Sequence, residues 1–171
     1  MFRALERLGK PTIAAVNGYA LGGGFELTLS CSLIVGAERA RFGLPEAGLG
    51  LIPGYGGTLR LPRLVGRPAA IRLMLTGERI GASQAHELGI LCQTPVPDDE
   101  LLAVAGGLAE EIASSSPRAV VLILESMGSS DGLDGGLAHE TTLAALAASS
   151  EDATEGISAF REKRKPDFGG K

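Results

Sequence analysis

The sequence predicts an α/β chain whose last third is helical, and three observations carry that reading. An apolar run, Ile13 to Val16, leads into a glycine cluster and leaves it through Phe25 and Leu29 at helical spacing. Strand, helix and strand then recur within about 30 residues, as in a βαβ-type unit. Beyond Pro95-Val96-Pro97 the pattern changes to helices alone. Residues 1–97 are therefore expected to form an α/β core and residues 98–171 a helical region.

The first residues already show a helical repeat, with Phe2, Leu5 and Leu8 on one face and Arg3, Glu6 and Arg7 between them. The chain thus opens in mid-helix, with an apolar face awaiting partners. Lys10-Pro11 ends this helix, and Thr12 to Val16 reads as a strand buried on both faces. The glycine junction follows, then a helix from about Phe25 to Cys31, a strand over Leu33–Ala37 and a third over Ala40–Phe42. From Pro45 to Thr58, prolines and glycines are dense enough to make a rigid irregular loop. Thr58 suits the cap of a helix that buries Leu59, Leu61 and Leu64. A helix over Pro68–Leu75 stops at Thr76-Gly77. Ser83 suits the cap of another over Gln84–Leu88, and Ile90–Thr94 reads as a strand. The helical patterns that follow are Asp98–Ser114, Pro117–Met127, Leu137–Ala148 and Glu151–Lys163, with a break over Gly128–Gly136. Their apolar faces have no large core of their own and need a neighbour.

Composition narrows the function classes. The chain has 171 residues, of which 44% are hydrophobic, as suits a globular protein with a core. Its 25 glycines are about twice the usual share and lie in clusters, the mark of tight turns and backbone recognition. A net charge of −4 gives no electrostatic reason to expect nucleic acid or an anionic membrane as partner. No apolar run is long enough to cross a bilayer, and the N-terminus lacks the order of a signal peptide. Cys31 and Cys92 sit among apolar neighbours without C-x-x-C spacing, so buried reduced thiols in a cytoplasmic setting are expected.

The chemistry concentrates at Gly22-Gly23-Gly24-Phe25-Glu26. Where a strand turns into a helix, unpaired N–H groups face outward, and glycine lets a substrate oxygen approach them. This is how an oxyanion hole is built. Glu26, three residues beyond Gly23, would stand one helical turn on, close to the same oxygen. The residues equally suit a glycine-rich packing turn with a helix-start glutamate. Glu46, in the Pro-Gly loop, is the second carboxylate of interest. Other site patterns fail. Gly54-Tyr55-Gly56-Gly57-Thr58-Leu59 lacks the last glycine of the dinucleotide fingerprint, and no phosphate loop exists. His86-Glu87 and His139-Glu140 lack the second histidine of a zinc site, and Ser83 lacks the setting of a nucleophile elbow. What is left is carboxylate acid/base chemistry beside backbone donors.

Four stretches in order carry a family resemblance: Lys10-Pro-Thr-Ile-Ala-Ala-Val-Asn-Gly-Tyr-Ala-Leu-Gly-Gly-Gly-Phe-Glu-Leu, Phe42-Gly-Leu-Pro-Glu-Ala-Gly-Leu-Gly-Leu-Ile-Pro-Gly-Tyr-Gly-Gly-Thr, Leu75-Thr-Gly-Glu and Ala159-Phe-Arg-Glu-Lys-Arg. Together they resemble the enoyl-CoA hydratase/isomerase (crotonase) family. The resemblance implies a spiral of ββα turns, a C-terminal helical trimerisation region, and trimers that often pair into hexamers. Position by position, Gly23 matches the glycine whose N–H binds the thioester oxygen, and Glu26 and Glu46 match the two glutamates that handle water and its proton. Leu21, Gly22, Gly23, Pro45 and Gly54, with Phe160 and Lys163 of the basic tail, are expected to bind the substrate. Having both glutamates favours hydration of a 2-enoyl-CoA in fatty-acid or related acyl-CoA degradation. An isomerase, or another CoA-thioester reaction on the same scaffold, is the alternative. No metal or other cofactor is implied, coenzyme A being part of the substrate. Nothing in the chain matches the family's Ala-Gly-x-Asp-type loop, which supplies a second oxyanion N–H and much of the adenine pocket. A partial core is therefore expected, either as a fragment or as a shortened, non-catalytic oligomerising member.

Overall fold

The structure, a computed structural model, describes residues 2–128 and 132–171. The chain divides into two compact units, residues 1–7 with 12–107 and residues 8–11 with 108–171.

In the first unit the elements are α1 (Arg3–Glu6), β1 (Ile13–Val16), β2 (Tyr19–Leu21), α2 (Gly23–Thr28), β3 (Leu33–Gly36) and β4 (Arg41–Gly43). A 3₁₀ turn over Glu46–Leu49 and then α3 (Gly57–Val65), α4 (Arg67–Thr76), β5 (Ile80–Gly81) and α5 (Ala82–Glu87) follow, and α6 (Leu101–Ala113) runs on past the boundary at residue 107. The strands repeat as pairs. β1 lies parallel to β3 with Ile13 opposite Leu33, and β2 lies parallel to β4 with Tyr19 opposite Arg41. Each turn of the coil thus stacks strand on strand about twenty residues later, as a spiral of ββα turns requires. β5 closes the second sheet antiparallel to β4.

One core serves these turns. Phe25, Phe42, Leu44, Leu61, Leu73 and Ile80 are all but inaccessible to solvent. The rings of Phe25 and Phe42 meet at 5.5 Å and 56°, a tilted pair that adds about 0.5–1.5 kcal/mol to the burial itself. Phe25 thereby holds α2 down on β4, and with it the neighbouring Glu26.

Several expectations need correction. β2 was hidden in the glycine junction, because three residues flanked by Asn17-Gly18 and Gly22 give too short an alternation to read. Ile90–Thr94 is no strand: the N–H groups of Ile90 and Leu91 turn back to the carbonyl of Ala85, and only Cys92 donates to β3, at Ile34. Thr58 and Ser83 are not caps but lie inside α3 and α5, whose N-caps are Gly56 and Gly81. The loop after Pro45 does contain helix, one 3₁₀ turn. Cys31 is half-buried and Cys92 exposed, both as free thiols, because they lie in the bends that follow α2 and α5 and not within a packed element.

In the second unit α7 (Pro117–Met127), α8 (Gly132–Ala148) and α9 (Glu151–Glu162) follow one another. α8 begins five residues before the expected Leu137, and residues 129–131 of the predicted break lie outside the described residues. Ser116 caps α7 by accepting the Ala119 N–H, and Ser150 caps α9 by accepting that of Ala153. Asp152, only 3% exposed, fastens the tail. It accepts hydrogen bonds from the Ser116 hydroxyl (2.6 Å) and the N–H groups of Gly169 (2.9 Å) and Gly170 (3.0 Å). These bonds, the serine's foremost, hold its carboxyl below the usual carboxylate range. Glu155 receives Arg164 on both oxygens and the Asp167 N–H, and its pKa falls to about 2. Among the described residues no helix is long and apolar enough to cross a membrane.

Candidate active site

Gly22 shapes the site first. Its φ of 54° and ψ of −128° turn β2 sharply into α2, a conformation that favours glycine. A Cβ there would also stand 3.2 Å from Glu46 Oε1. Its N–H donates to the Gly43 carbonyl of β4 at 2.9 Å, so the turn is tied to the sheet. α2 opens at Gly23, two residues earlier than the periodicity suggests, and Glu26 thus sits in its first turn with its N–H on the Gly22 carbonyl.

Glu26 is a buried carboxylate, 1% exposed. Burial of a charge requires partners. Two arrive from the glycine-rich loop, where the N–H groups of Tyr55 (2.7 Å) and Gly57 (2.8 Å) both donate to Oε1. Among the described residues Oε2 accepts no hydrogen bond. It is also not among the side-chain oxygens sealed from solvent, while Glu26 itself lines a cleft. One oxygen is anchored and the other is left for a ligand. Gly57 has to be glycine for this: a Cβ would come within 2.9 Å of Pro53 Cβ and 3.1 Å of Glu26 Oε1.

Glu46 is the first residue of the 3₁₀ turn. Its Oε2 is sealed from solvent and has no hydrogen-bond partner among the described residues. Native interiors rarely leave a carboxylate oxygen so. Both glutamates line one cleft of about 470 Å³ together with Leu21, Gly22, Gly23, Pro45 and Gly54. Seven of the nine predicted site residues therefore share one surface. The other two, Phe160 and Lys163, belong to the second unit. Phe160 is 84% exposed at the end of α9, and Lys163 follows it at the C-cap, the one non-glycine residue with positive φ (55°) among those described.

Other residues of the cleft escaped the sequence reading. Leu49, Leu51, Ile52 and Tyr55 line it and are largely exposed. Their signal was present in the sequence, as apolar side chains spaced through a Pro- and Gly-rich loop without the periodicity that would bury them. Arg60, on α3, was missed as well. It donates to both oxygens of Glu6 at 2.7 and 3.0 Å and to the Tyr55 carbonyl at 2.7 Å. That pairing with Glu6 raises the guanidinium's pKa and holds the Glu6 carboxyl below its usual range.

A coil of ββα turns thus presents helix-start glycines and two carboxylates to one cleft. The whole chain, residues 1–171, matches the enoyl-CoA hydratase/isomerase family. It is 47% identical over 173 aligned residues to 2,3-dehydroadipyl-CoA hydratase of Escherichia coli (strain K12), an alignment that covers 100% of this chain and 68% of that protein. To the short-chain-enoyl-CoA hydratase of Clostridium acetobutylicum it is 44% identical, over 96% of this chain and 64% of the relative. The crystal structure of enoyl-CoA hydratase from Bacillus anthracis superposes with a TM-score of 0.95 at 42% identity, covering 99% of this chain and 66% of that one. The chain belongs to the enoyl-CoA hydratase/isomerase family, has its crotonase-like α/β fold, and spans about two thirds of the length of these relatives.

Proposed function

We propose that this chain carries the hydratase site of an enoyl-CoA hydratase, a hydro-lyase that adds water across the 2,3 double bond of a 2-enoyl-CoA thioester. The observation that supports it best is that Glu26 and Glu46, each with an Oε2 that has no hydrogen-bond partner among the described residues, line one cleft with Gly23. A water held by the two carboxylates gives its oxygen to C3 while negative charge gathers on the thioester oxygen as an enolate. The Gly23 N–H, the first of α2, donates to that oxygen. One carboxylate takes the water's proton as that O–H bond breaks, and a carboxyl delivers a proton to C2, so that one water is consumed, the C2–C3 π bond is lost, and one C–O and one C–H bond form. The relatives named as hydratases support this over double-bond isomerisation.

Leu21, Gly22, Pro45 and Gly54 line the acyl thioester's place, and the apolar side chains around Ile52 suit its carbon chain. Phe160 and Lys163 serve the coenzyme A moiety, a ring face and a cation for an adenine nucleotide. In the second unit Ile123, Met127, Leu133, Leu146 and Phe160 are exposed, an apolar load that supports assembly into trimers or hexamers. The test is spectrophotometric. Crotonyl-CoA mixed with the protein is expected to lose its conjugated enoyl absorbance and yield 3-hydroxybutyryl-CoA. No loss, or faster conversion of a 3-enoyl-CoA to a 2-enoyl-CoA than hydration, would overturn the proposal.

A further inference from the structure

The loop that anchors Glu26 is itself held from behind. Residues 55–57 present alternate faces: the N–H groups of Tyr55 and Gly57 point to Glu26 Oε1, and the carbonyl of Tyr55 points the other way, to Arg60 at 2.7 Å. Arg60 in turn is fixed by two bonds to Glu6 of α1, and its side chain is only 17% exposed. Phe2, the N-cap of α1, meets the Tyr55 ring in a tilted contact at 5.5 Å and 59°. The glycines on this path are shaped for the two charged groups. Gly56 has a φ of 111°, and a Cβ there would stand 2.1 Å from Arg60 Nη1, while Gly57 leaves room for Glu26. A planar guanidinium with donors on several edges can clamp a carboxylate and a carbonyl at once, which an ammonium cannot do with the same geometry.

Resting on the hydratase reading above, we infer that Arg60 is a positioning residue for the reaction: clamped by Glu6, it holds the Tyr55 carbonyl so that the Tyr55 and Gly57 N–H groups aim the Glu26 carboxylate at the substrate water. Glu6, fifty-four residues before Arg60 in the chain, is thereby part of the same support. A displaced 55–57 peptide would let Oε1 rotate away and carry Oε2 off line, and a misplacement of about 1 Å costs on the order of 10²-fold in rate.

The experiment compares Arg60→Met, Arg60→Lys and Glu6→Gln with the unaltered protein, alone and combined with Glu26→Gln. Crotonyl-CoA hydration gives kcat and KM, and NMR hydrogen exchange follows the amides of Tyr55 and Gly57. Arg60→Met is expected to lower kcat by about 10- to 100-fold with KM changed by less than about 3-fold, and to speed exchange at both amides. Arg60→Lys should recover part of the rate, and Glu6→Gln should lose less than Arg60→Met. In the Glu26→Gln background Arg60→Met should cost almost nothing more, because both changes act through one carboxylate. A loss that multiplies with Glu26→Gln, or unchanged kcat in Arg60→Met, overturns the inference. Should Arg60→Met fail to fold, Arg60→Lys and Glu6→Gln carry the same comparison. Should the unaltered protein hydrate nothing, the hydratase reading fails separately, and exchange alone decides whether Arg60 holds the loop: unaltered protection at Tyr55 and Gly57 would overturn it.

Discussion

Glu26 and Asp152 are both buried carboxylates, 1% and 3% exposed, and both are seated by pairs of backbone N–H groups from glycine-containing segments. The difference lies in what is left over. Asp152 spends Oδ1 on Gly169 and Gly170 and Oδ2 on the Ser116 hydroxyl. Glu26 spends Oε1 on Tyr55 and Gly57 and keeps Oε2. A carboxylate satisfied on both oxygens is a fastener, and one satisfied on a single oxygen is fixed in place yet still able to act. Burial alone would not have separated them.

The sharpest way to break this distinction is to neutralise each in turn. Glu26→Gln is expected to lower kcat for crotonyl-CoA hydration by roughly 10²-fold or more while circular dichroism and the unfolding midpoint stay close to those of the unaltered protein. Glu46→Gln should behave alike. Near-normal turnover from either would remove that residue from the mechanism. Asp152→Asn should show the opposite pattern, a lowered unfolding midpoint and faster proteolytic cutting of the tail after Lys163, because Asn has only one acceptor oxygen for three donors. A tail that stays resistant would mean that Glu155 and Arg164 suffice to hold it.

Acid gives a finer probe. Glu155 and Asp152 have pKa values depressed in the folded protein, so their contribution to the tail's attachment is fully present above their unfolded values. For Glu155 it fades as pH falls from about 4.5 and is gone below about 2. Tail protection, followed by hydrogen exchange at Asp167, Gly169 and Gly170, should therefore persist near pH 5 and decline between those limits. Loss already near neutral pH would contradict the carboxylate clamp. The smallest effect is expected from Ser116→Ala, which removes the α7 cap and one donor to Asp152 and should cost about 1 kcal/mol in denaturant unfolding, with kcat unaltered.

How far the sequence speaks depends on how far apart the partners are. The glycine junction, Glu26 and the helices of the last third were readable because their signals are local: an apolar run, a glycine cluster, a 3.6 repeat. Pro117–Met127 came out residue for residue, since Ser116-Pro117 and Gly128 mark both its ends. Glu46 stood out as a carboxylate in a rigid Pro-Gly loop, but its expected role came only from the resemblance, as nothing in its neighbourhood reveals an oxygen without a partner. The anchoring of Glu26 by residues 29 and 31 places later was not legible, nor was the Glu6–Arg60 pair, because no local pattern encodes a contact across such distances. β2 and β5, of three and two residues, are too short for periodicity, and Ile90–Thr94 misled because the N–H groups of its buried apolar residues, Ile90 and Leu91, turn back to Ala85 of α5 and do not join a strand ladder.

The stacking of β1 on β3 and of β2 on β4 has a kinetic consequence. Partners about twenty residues apart close short loops, whereas the bonds that complete the Glu26 site close longer ones and the Glu6–Arg60 clamp spans fifty-four residues. Loop closure opposes the longer contacts more strongly and gives them nothing to dock on until the coils exist. The coils should therefore form in the folding transition state with φ-values well above those at residues 55–60, so that substitutions around Glu26 mainly change the rate of unfolding and leave the rate of folding nearly as it was.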